Sequence, residues 1–328
     1  MPDQKKSFLG LIARGLGMGA ADVVPGVSGG TIAFITGIYE ELLETISNIN
    51  LGLLKTWKKE GFKAMWTAMN GRFLLALFTG IGISIVSLAK LLEYLLEEHE
   101  VLLWSFFFGL IMASVWLVGK TIEKWNAINI IGLILGTTAA YLITIMSPAS
   151  GSESLFYIFI CGMIAICAMI LPGISGSFIL LLLGAYTTVL GSVSGILDAV
   201  KIKNWELVGS NGLVLIIFML GCLAGLISFS KLLNWLFKKA KNLTIAILTG
   251  FLIGSLNKIW PWKHTTLWGM DRHGEEIPLV QENVLPAKYS HLMGEPDHLV
   301  ISIMLMVFGI SIIIALDYFG SKNKKKVN

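Results

Sequence analysis

The chain has 328 residues, of which 55% are hydrophobic and only 14% are charged, and its mean hydropathy is +0.76. Soluble domains carry about 25% charged residues, so this composition excludes a water-soluble globular protein. The formal net charge of +4 is small, and nucleic acid is not an expected partner.

Apolar runs divide the chain into six predicted membrane spans and two longer segments. An α-helix needs about 20 apolar residues to cross a hydrocarbon core of ~30 Å. The predicted spans cover residues 73–96, 101–119, 127–146, 213–237, 243–260 and 299–318. The sequence therefore predicts an all-α polytopic membrane protein, and its 35 glycines predict closely packed helices.

The two longer segments cover residues 8–47 and 155–193. Each has about 40 residues, which as a single helix would measure about 60 Å, twice the hydrocarbon thickness. A Pro-Gly pair lies near the middle of each segment, at Pro25-Gly26 and Pro172-Gly173. Because proline interrupts a helix, each segment is predicted to fold back as a re-entrant hairpin with the Pro-Gly pair at its tip.

The two halves of the chain resemble each other. The motif at 25–30, Pro-Gly-Val-Ser-Gly-Gly, recurs 147 positions later as Pro-Gly-Ile-Ser-Gly-Ser. Each half, residues 1–148 and 149–328, is predicted to be one hairpin followed by three spans. Three is an odd number, so the second half enters from the opposite side and the chain forms an inverted-topology repeat. The segment 261–298 is expected to be an outer loop, a solvated connector rather than a folded lid.

Basic residues place both termini on the cytoplasmic side. Cytoplasmic loops of membrane proteins carry an excess of Lys and Arg. With both hairpins returning to their own side, most of the 25 basic residues fall on one face. The opposite face carries few of them and has an acidic turn at Glu97, Glu98 and Glu100.

The hairpin tips are candidate anion sites. Ser28 is placed to cap the helix after the first tip, which would leave the amides of Gly29, Gly30 and Thr31 free for a ligand. A helix N-terminus carries about half a positive charge and suits phosphate, carboxylate or halide. The predicted binding residues are Pro25, Gly26, Ser28, Gly29, Gly30 and Thr31 in the first tip, and Pro172, Gly173, Ser175, Gly176 and Ser177 in the second. The alternative is that the glycines only allow close packing and the serines only cap helices.

Two charged residues precede the first tip without counterparts in the second half. Arg14 and Asp22 correspond, 147 positions later, to Cys161 and Met169. Ionisable residues inside membranes are rare and usually functional. We expect Arg14 and Asp22 to bracket one polar cavity, where Asp22 would couple transport to H⁺ or Na⁺. The alternative is an interfacial Arg14 and an Asp22 that only caps a helix.

Other polar residues give weaker signals. Glu40 and Glu44 share a helical face, but they are expected at an exposed interfacial end rather than in catalysis. The three cysteines are expected to be buried small hydrophobic residues. The histidines of 261–298 follow no metal-binding pattern, so no metal site, cofactor or catalytic residue is predicted.

The stretch from Gly19 to Thr31, with the second Pro-Gly-Ile-Ser-Gly, resembles the DUF368 family of bacterial membrane proteins over nearly the whole chain. This resemblance implies a polyprenyl-phosphate transporter that returns undecaprenyl phosphate across the cytoplasmic membrane for carrier-lipid recycling in cell-wall synthesis. It implies a multi-pass protein in the bacterial cytoplasmic membrane that works by alternating access around a midplane phosphate site. The oligomeric state, the coupling ion and the tail-length specificity stay open.

Two other functions are compatible with these residues. The tips also resemble those of undecaprenyl pyrophosphate phosphatase, whose pattern is Pro-Gly-x-Ser-Arg, but Gly29 and Gly176 occupy the arginine position here. Phosphoryl transfer relies on a cationic clamp, so hydrolysis is disfavoured. A small-anion channel or exchanger is the other alternative, because opposed helix N-termini also suit chloride.

Overall fold

The protein is almost entirely helical in the computed structural model, which describes residues 7–23, 28–50, 52–146, 151–152, 154–270 and 276–325. The first half contains α1 (Phe8–Val23), α2 (Gly29–Ile35), α3 (Tyr39–Ser47), α4 (Gly52–Glu60), α5 (Phe62–Ala68), α6 (Gly71–Glu98), α7 (Glu100–Gly119) and α8 (Ala127–Ile145). The second half contains α9 (Leu155–Ile170), α10 (Gly176–Leu182), α11 (Tyr186–Lys201), α12 (Trp205–Lys239), α13 (Lys241–Ser255), β1 (Lys263–Met270), β2 (Glu276–Asn283), α14 (Pro286–Met293) and α15 (Leu299–Lys325).

The helices fit a multi-pass membrane protein. By length and composition, α6, α7, α8 and α12 can each cross a bilayer, and α9, α13 and the first part of α15 are shorter apolar helices. Every predicted span coincides with one helix, which confirms the all-α polytopic class. One boundary is wrong: α13 ends at Ser255, not at residue 260. The side chain of Asn257 instead donates to Thr144 Oγ1 at 2.8 Å, in a turn that leaves the helix.

The helices pack in two sets. Within each half, the first arm of the hairpin packs on a long span, α1 on α6 and α9 on α12. Between the halves, α7 packs on α15 and α8 on α13. A β-carbon on Gly15 or Gly80 would collide with the facing helix backbone, and the same holds for Gly162 and Gly221. Glycine is required at these crossings because the two backbones touch.

The second arm of each hairpin is broken in two, which the sequence analysis did not predict. Gly37 ends α2 with φ +70°, and Gly184 follows α10 with φ +64°. Each glycine lies in a Schellman motif, in which the amide of Ile38 donates to Ala33 O and that of Ala185 to Leu180 O. Beyond Gly184 the chain bends by 107° into α11. These matched turns lie 147 residues apart and support the repeat, whose inverted orientation and boundaries stay a prediction.

The described residues of the segment 261–298 are folded, so the prediction of a solvated connector was wrong. Strands β1 and β2 pair antiparallel, and α14 follows them. Trp262 and Tyr289 are buried with Val101 of α7. Trp260 and Trp262 donate their indole N–H groups to Val284 O and Asp297 O. These tryptophans anchor the segment to the helices, which its polar composition concealed.

On the predicted cytoplasmic side, α3 of the first half packs on α12 of the second. Lys241 Nζ lies 2.7 Å from Glu40 Oε1, and Lys238 Nζ lies 3.7 Å from Glu44 Oε1. All four side chains are more than half exposed. These glutamates therefore pair with lysines at an exposed helix end, as expected from the sequence.

Candidate functional site

The first hairpin tip is braced by its own side chains. Asp22 Oδ1 accepts from the amide of Gly29 at 2.7 Å, and Ser28 Oγ accepts from the amide of Gly30 at 3.1 Å. The amide of Thr31 donates to Ser28 O. The prediction that these three amides are free for a ligand was therefore wrong, because Asp22 supplies the negative charge that the N-terminus of α2 attracts. Pro25 and Gly26 lie outside the described residues.

Arg14 and Asp22 act on opposite ends of α2. Arg14 Nε donates to the carbonyl of Thr36, the C-cap of α2, at 3.3 Å, and Nη1 donates to Gly10 O at 3.0 Å. A carboxylate at the N-terminus and a guanidinium at the C-terminus both complement the helix dipole. The expectation that the two residues bracket a polar cavity was wrong, since they bracket this seven-residue helix instead.

The two tips contact each other directly. Ser28 Oγ donates to Met169 O at 2.8 Å, and the amide of Gly173 donates to Thr31 Oγ1 at 2.8 Å. Tyr39 Oη, which the sequence analysis missed, donates to Ile170 O at 3.0 Å. The carbonyls that end α9 thus find donors on the other hairpin. Backbone ends buried in a membrane protein need such partners, so this contact stabilises both tips.

Side-chain hydrogen bonds cap the helix after the first tip, but the serine of the second tip makes no such bond. Gly173 has φ +86°, a conformation that favours glycine, and its turn leads to Ser175 at the N-cap of α10. The Ser175 side chain makes no capping hydrogen bond, and its Oγ lies 2.8 Å from Ser177 Oγ. Ser175 is buried, whereas Ser177 is exposed. This tip therefore carries a hydrogen-bonded pair of hydroxyl groups, of which only that of Ser177 lies at the protein surface.

The tips differ in the residue that lies beside the glycine after the capping serine, which is Asp22 in the first half and Met169 in the second. A β-carbon on Gly29 would meet the carboxylate of Asp22, and a β-carbon on the equivalent Gly176 would lie 3.3 Å from Cβ of Met169. Met169 thus occupies the place that Asp22 takes in the first half, but it carries no charge and no acceptor for an amide. The second tip therefore has no carboxylate beside it at this position.

A lysine beside the second tip was also missed by the sequence analysis. Lys258 Nζ lies 4.5 Å from the ring centroid of Phe178, the residue after Ser177. Ser255, at the end of α13, lies against Gly173. Lys258 follows the apolar helix α13 and was predicted as part of a span. Its position beside the tip depends on the packing of α13 against the hairpin. It places a cation against α10, next to the residue that follows the serine pair.

The two glycines at the arginine position of the phosphatase pattern leave no room for that side chain. A β-carbon on Gly176 would lie 2.8 Å from Ala165 O, and one on Gly29 would collide with Asp22. Among the described residues, no group of three or more His, Cys, Asp or Glu could hold a metal ion. Cys161 is buried, and Cys167 and Cys222 are partly buried, all as free thiols.

Comparison with known proteins gives one family match. Residues 18–277 match the VCA0040-like family, described as undecaprenyl phosphate translocase-like. A polyprenyl-phosphate transporter of Vibrio cholerae serotype O1 is 45% identical over 98% of this chain and 100% of its own length. A polyprenyl-phosphate transporter of Staphylococcus aureus is 32% identical over 78% of this chain and 87% of its own length. No solved structure matched the chain.

Proposed function

Because this chain belongs to the DUF368 family of undecaprenyl phosphate translocase-like proteins, we propose that it transports a polyprenyl phosphate. The substrate we infer is undecaprenyl phosphate, carried from the outer to the inner leaflet of the bacterial cytoplasmic membrane with both protein termini inside. Two relatives named polyprenyl-phosphate transporters, one of which aligns over nearly the whole chain, support this substrate.

The serine pair of the second tip is the observation that carries the proposal. A lipid phosphate needs polar partners for its headgroup, because an uncompensated charge in apolar surroundings is costly. Ser175 and Ser177 supply a hydrogen-bonded pair of hydroxyl groups, and Lys258 contacts Phe178, the next residue along α10. Met169 leaves the adjacent position without a carboxylate. In this proposal the second tip binds the phosphate, and the first tip supports it through Ser28 and Thr31.

Alternating access would require the halves to move against each other. The Glu40–Lys241 and Glu44–Lys238 pairs join α3 of the first half to the α12–α13 corner of the second. In the proposed cycle these pairs close the cytoplasmic side and separate when the phosphate is released inward. Exposed ion pairs contribute little, typically below ~1 kcal/mol each, so such a closure can open and reform readily.

Coupling to H⁺ or Na⁺ is part of the proposal and involves Asp22. Its carboxylate holds the amide of Gly29, so protonation or cation binding there would weaken the cap of α2. Because α2 supports the second tip through Thr31, a change at Asp22 would reach the phosphate site. Transport by Asp22→Asn that kept the pH and sodium dependence of the wild type would contradict this role.

The test is leaflet-resolved translocation of undecaprenyl phosphate in proteoliposomes. Ser175→Ala and Ser177→Ala should each lower the rate, by roughly 10-fold or more, because a hydrogen bond to a charged group is worth about 1.5–3 kcal/mol. Ser228→Ala is the matched control, since Ser228 is exposed on α12 and donates to a carbonyl of its own helix. Wild-type protein that moved no lipid would refute the proposal.

Met169→Asp offers a sharper test of the site. An aspartate at position 169 would place a carboxylate where the proposed phosphate binds, as Asp22 does in the first hairpin, and should abolish transport. Asparagine has nearly the same shape as aspartate but carries no charge. Met169→Asn should therefore retain more transport activity than Met169→Asp. Equal activity of the two variants would argue against an anion beside the second tip.

The same purified protein can be tested for two alternative functions, a phosphatase and a small-anion channel or exchanger. Release of inorganic phosphate from undecaprenyl pyrophosphate would identify a phosphatase. The glycines at the arginine position oppose that activity, because the side chain that would clamp the phosphoryl group does not fit there. Chloride flux in liposomes that lack polyprenyl lipid would identify a small-anion channel or exchanger.

A further inference from the structure

A buried lysine lies beneath the outer segment formed by β1, β2 and α14. Lys263, the first residue of β1, is only 7% exposed, and its Nζ has no hydrogen-bond partner among the residues that the structure describes. Lysine is almost never buried without a partner, because its ammonium group loses its hydration. The position of Lys263 therefore calls for an acceptor that the described side chains do not supply.

The surroundings of Lys263 hold the ammonium group without neutralising it. Its Nζ lies 3.8 Å from the ring centroid of Trp104, whose indole N–H donates to Glu100 Oε1 at 3.0 Å. None of the ion pairs found in the described part of the chain involves Lys263 or Lys258. Burial lowers the pKa of Lys263 to about 7, Glu100 opposes this change, and the charge of Lys258 adds to it.

Lys258 connects this buried lysine to the second hairpin tip. The two lysines are five positions apart, and their charges repel each other. Lys258 Nζ lies against Phe178 of α10, which directly follows Ser177. Among the described residues, Glu100 is the carboxylate whose charge acts on both lysines, so two ammonium groups share one nearby anion. An incoming dianion would relieve the repulsion between the two lysines.

We propose that Lys258 and Lys263 form a receiving site for a phosphate monoester on the outer side, from which the group passes to Ser175 and Ser177. The identification of this group as the headgroup of a transported lipid rests on the proposed function. The existence of the site rests on the burial of Lys263, whose Nζ has no hydrogen-bond partner among the described residues, and on the contact of Lys258 with Phe178. A phosphate monoester fits because its several acceptor oxygens can take hydrogen bonds from both ammonium groups.

Binding measurements on the full chain in lipid nanodiscs test this site, with farnesyl phosphate and inorganic phosphate as separate probes. Lys258→Met and Lys263→Met should each weaken the binding of farnesyl phosphate about 10-fold or more, as expected for a lost charged hydrogen bond. Lys288→Met is the matched control, because Lys288 is exposed on α14 of the same outer segment, and it should leave the affinity within about 2-fold of wild type.

The outcomes separate this site from the proposed transport. If inorganic phosphate binds with the same lysine dependence, the phosphate group alone suffices; if only farnesyl phosphate does, the lipid tail contributes. Unchanged affinity in both lysine variants overturns the site, even if the wild type transports lipid. Lysine-dependent binding by a protein that transports nothing refutes the proposed function and leaves the site standing. If Lys263→Met does not fold, Lys258→Met compared with Lys258→Arg decides, since arginine should restore binding.

Discussion

The cap that Asp22 places on α2 can be tested by removing its two contributions separately. Asp22→Ala removes both the acceptor for the amide of Gly29 and the negative charge at the N-terminus of the helix. Gly29 is buried, so its amide would have no water to replace the carboxylate. Leaving a buried amide unsatisfied costs ~1–3 kcal/mol, and losing a charge at a helix N-terminus costs ~0.3–1 kcal/mol. The expected loss of stability is therefore roughly 1.3–4 kcal/mol.

Asp22→Asn separates the hydrogen bond from the charge. The asparagine side-chain oxygen can still accept from the amide of Gly29, but the negative charge is gone. The expected loss is then only the charge contribution, ~0.3–1 kcal/mol. Unfolding of the purified protein in detergent, followed by tryptophan fluorescence, measures both variants. Met169→Ala is the matched control in the second hairpin, where no amide depends on the side chain. Equal losses for Asp22→Ala and Asp22→Asn, or no loss for either, would refute the capping argument.

Three further predictions follow from other contacts. Tyr39→Phe should destabilise the protein by ~1–2 kcal/mol in the same unfolding assay, because a buried hydroxyl that donates to Ile170 O is lost; an unchanged stability would show that this contact between the hairpins is dispensable. Glu40→Gln should change stability by less than ~1 kcal/mol, since its pair with Lys241 is exposed, and a larger loss would indicate a stronger closure than we propose. Lys263 has its pKa lowered from 10.5 to about 7, so above pH 7 the unfolded chain binds more protons than the folded chain and stability should rise with pH. The slope is at most ~1.4 kcal/mol per pH unit. Stability profiles from pH 7 to pH 9 should be flatter for Lys263→Met than for wild type, and identical profiles would contradict the lowered pKa of the buried Lys263.

The proposed receiving site and the proposed phosphate site have different electrostatic characters. At the second tip, hydroxyl groups and an open helix end supply neutral donors around an uncharged Met169. Beneath the outer segment, Lys258 and Lys263 supply charge. Charged groups attract an anion from water at long range. Neutral donors bind the anion less strongly than charged groups do, so it is released from them more easily. This order, charge outside and hydroxyls within, suits a carrier that must both capture and release its substrate.

Sequence alone determined the local features of this protein. The length of the apolar runs specified the helices α6, α7, α8, α12 and α15, because a bilayer of fixed thickness requires a fixed number of helical residues. The Pro-Gly pairs indicated that one helix ends and another begins between Val23 and Gly29 and between Ile170 and Gly176. The motif spacing indicated two similar halves. The breaks at Gly37 and Gly184 were also readable, since a glycine that ends a helix is a local signal, but they were overlooked.

Only the tertiary structure decided which polar groups meet. Asp22 and Arg14 were expected to share a cavity, and they instead cap the two ends of one helix. Contacts such as Ser28 with Met169, or Lys258 with Phe178, join residues that are far apart in the chain. No local pattern encodes such pairs, because they depend on how whole helices pack against one another. For the same reason, the burial of Lys263 under a folded outer segment became visible only in three dimensions.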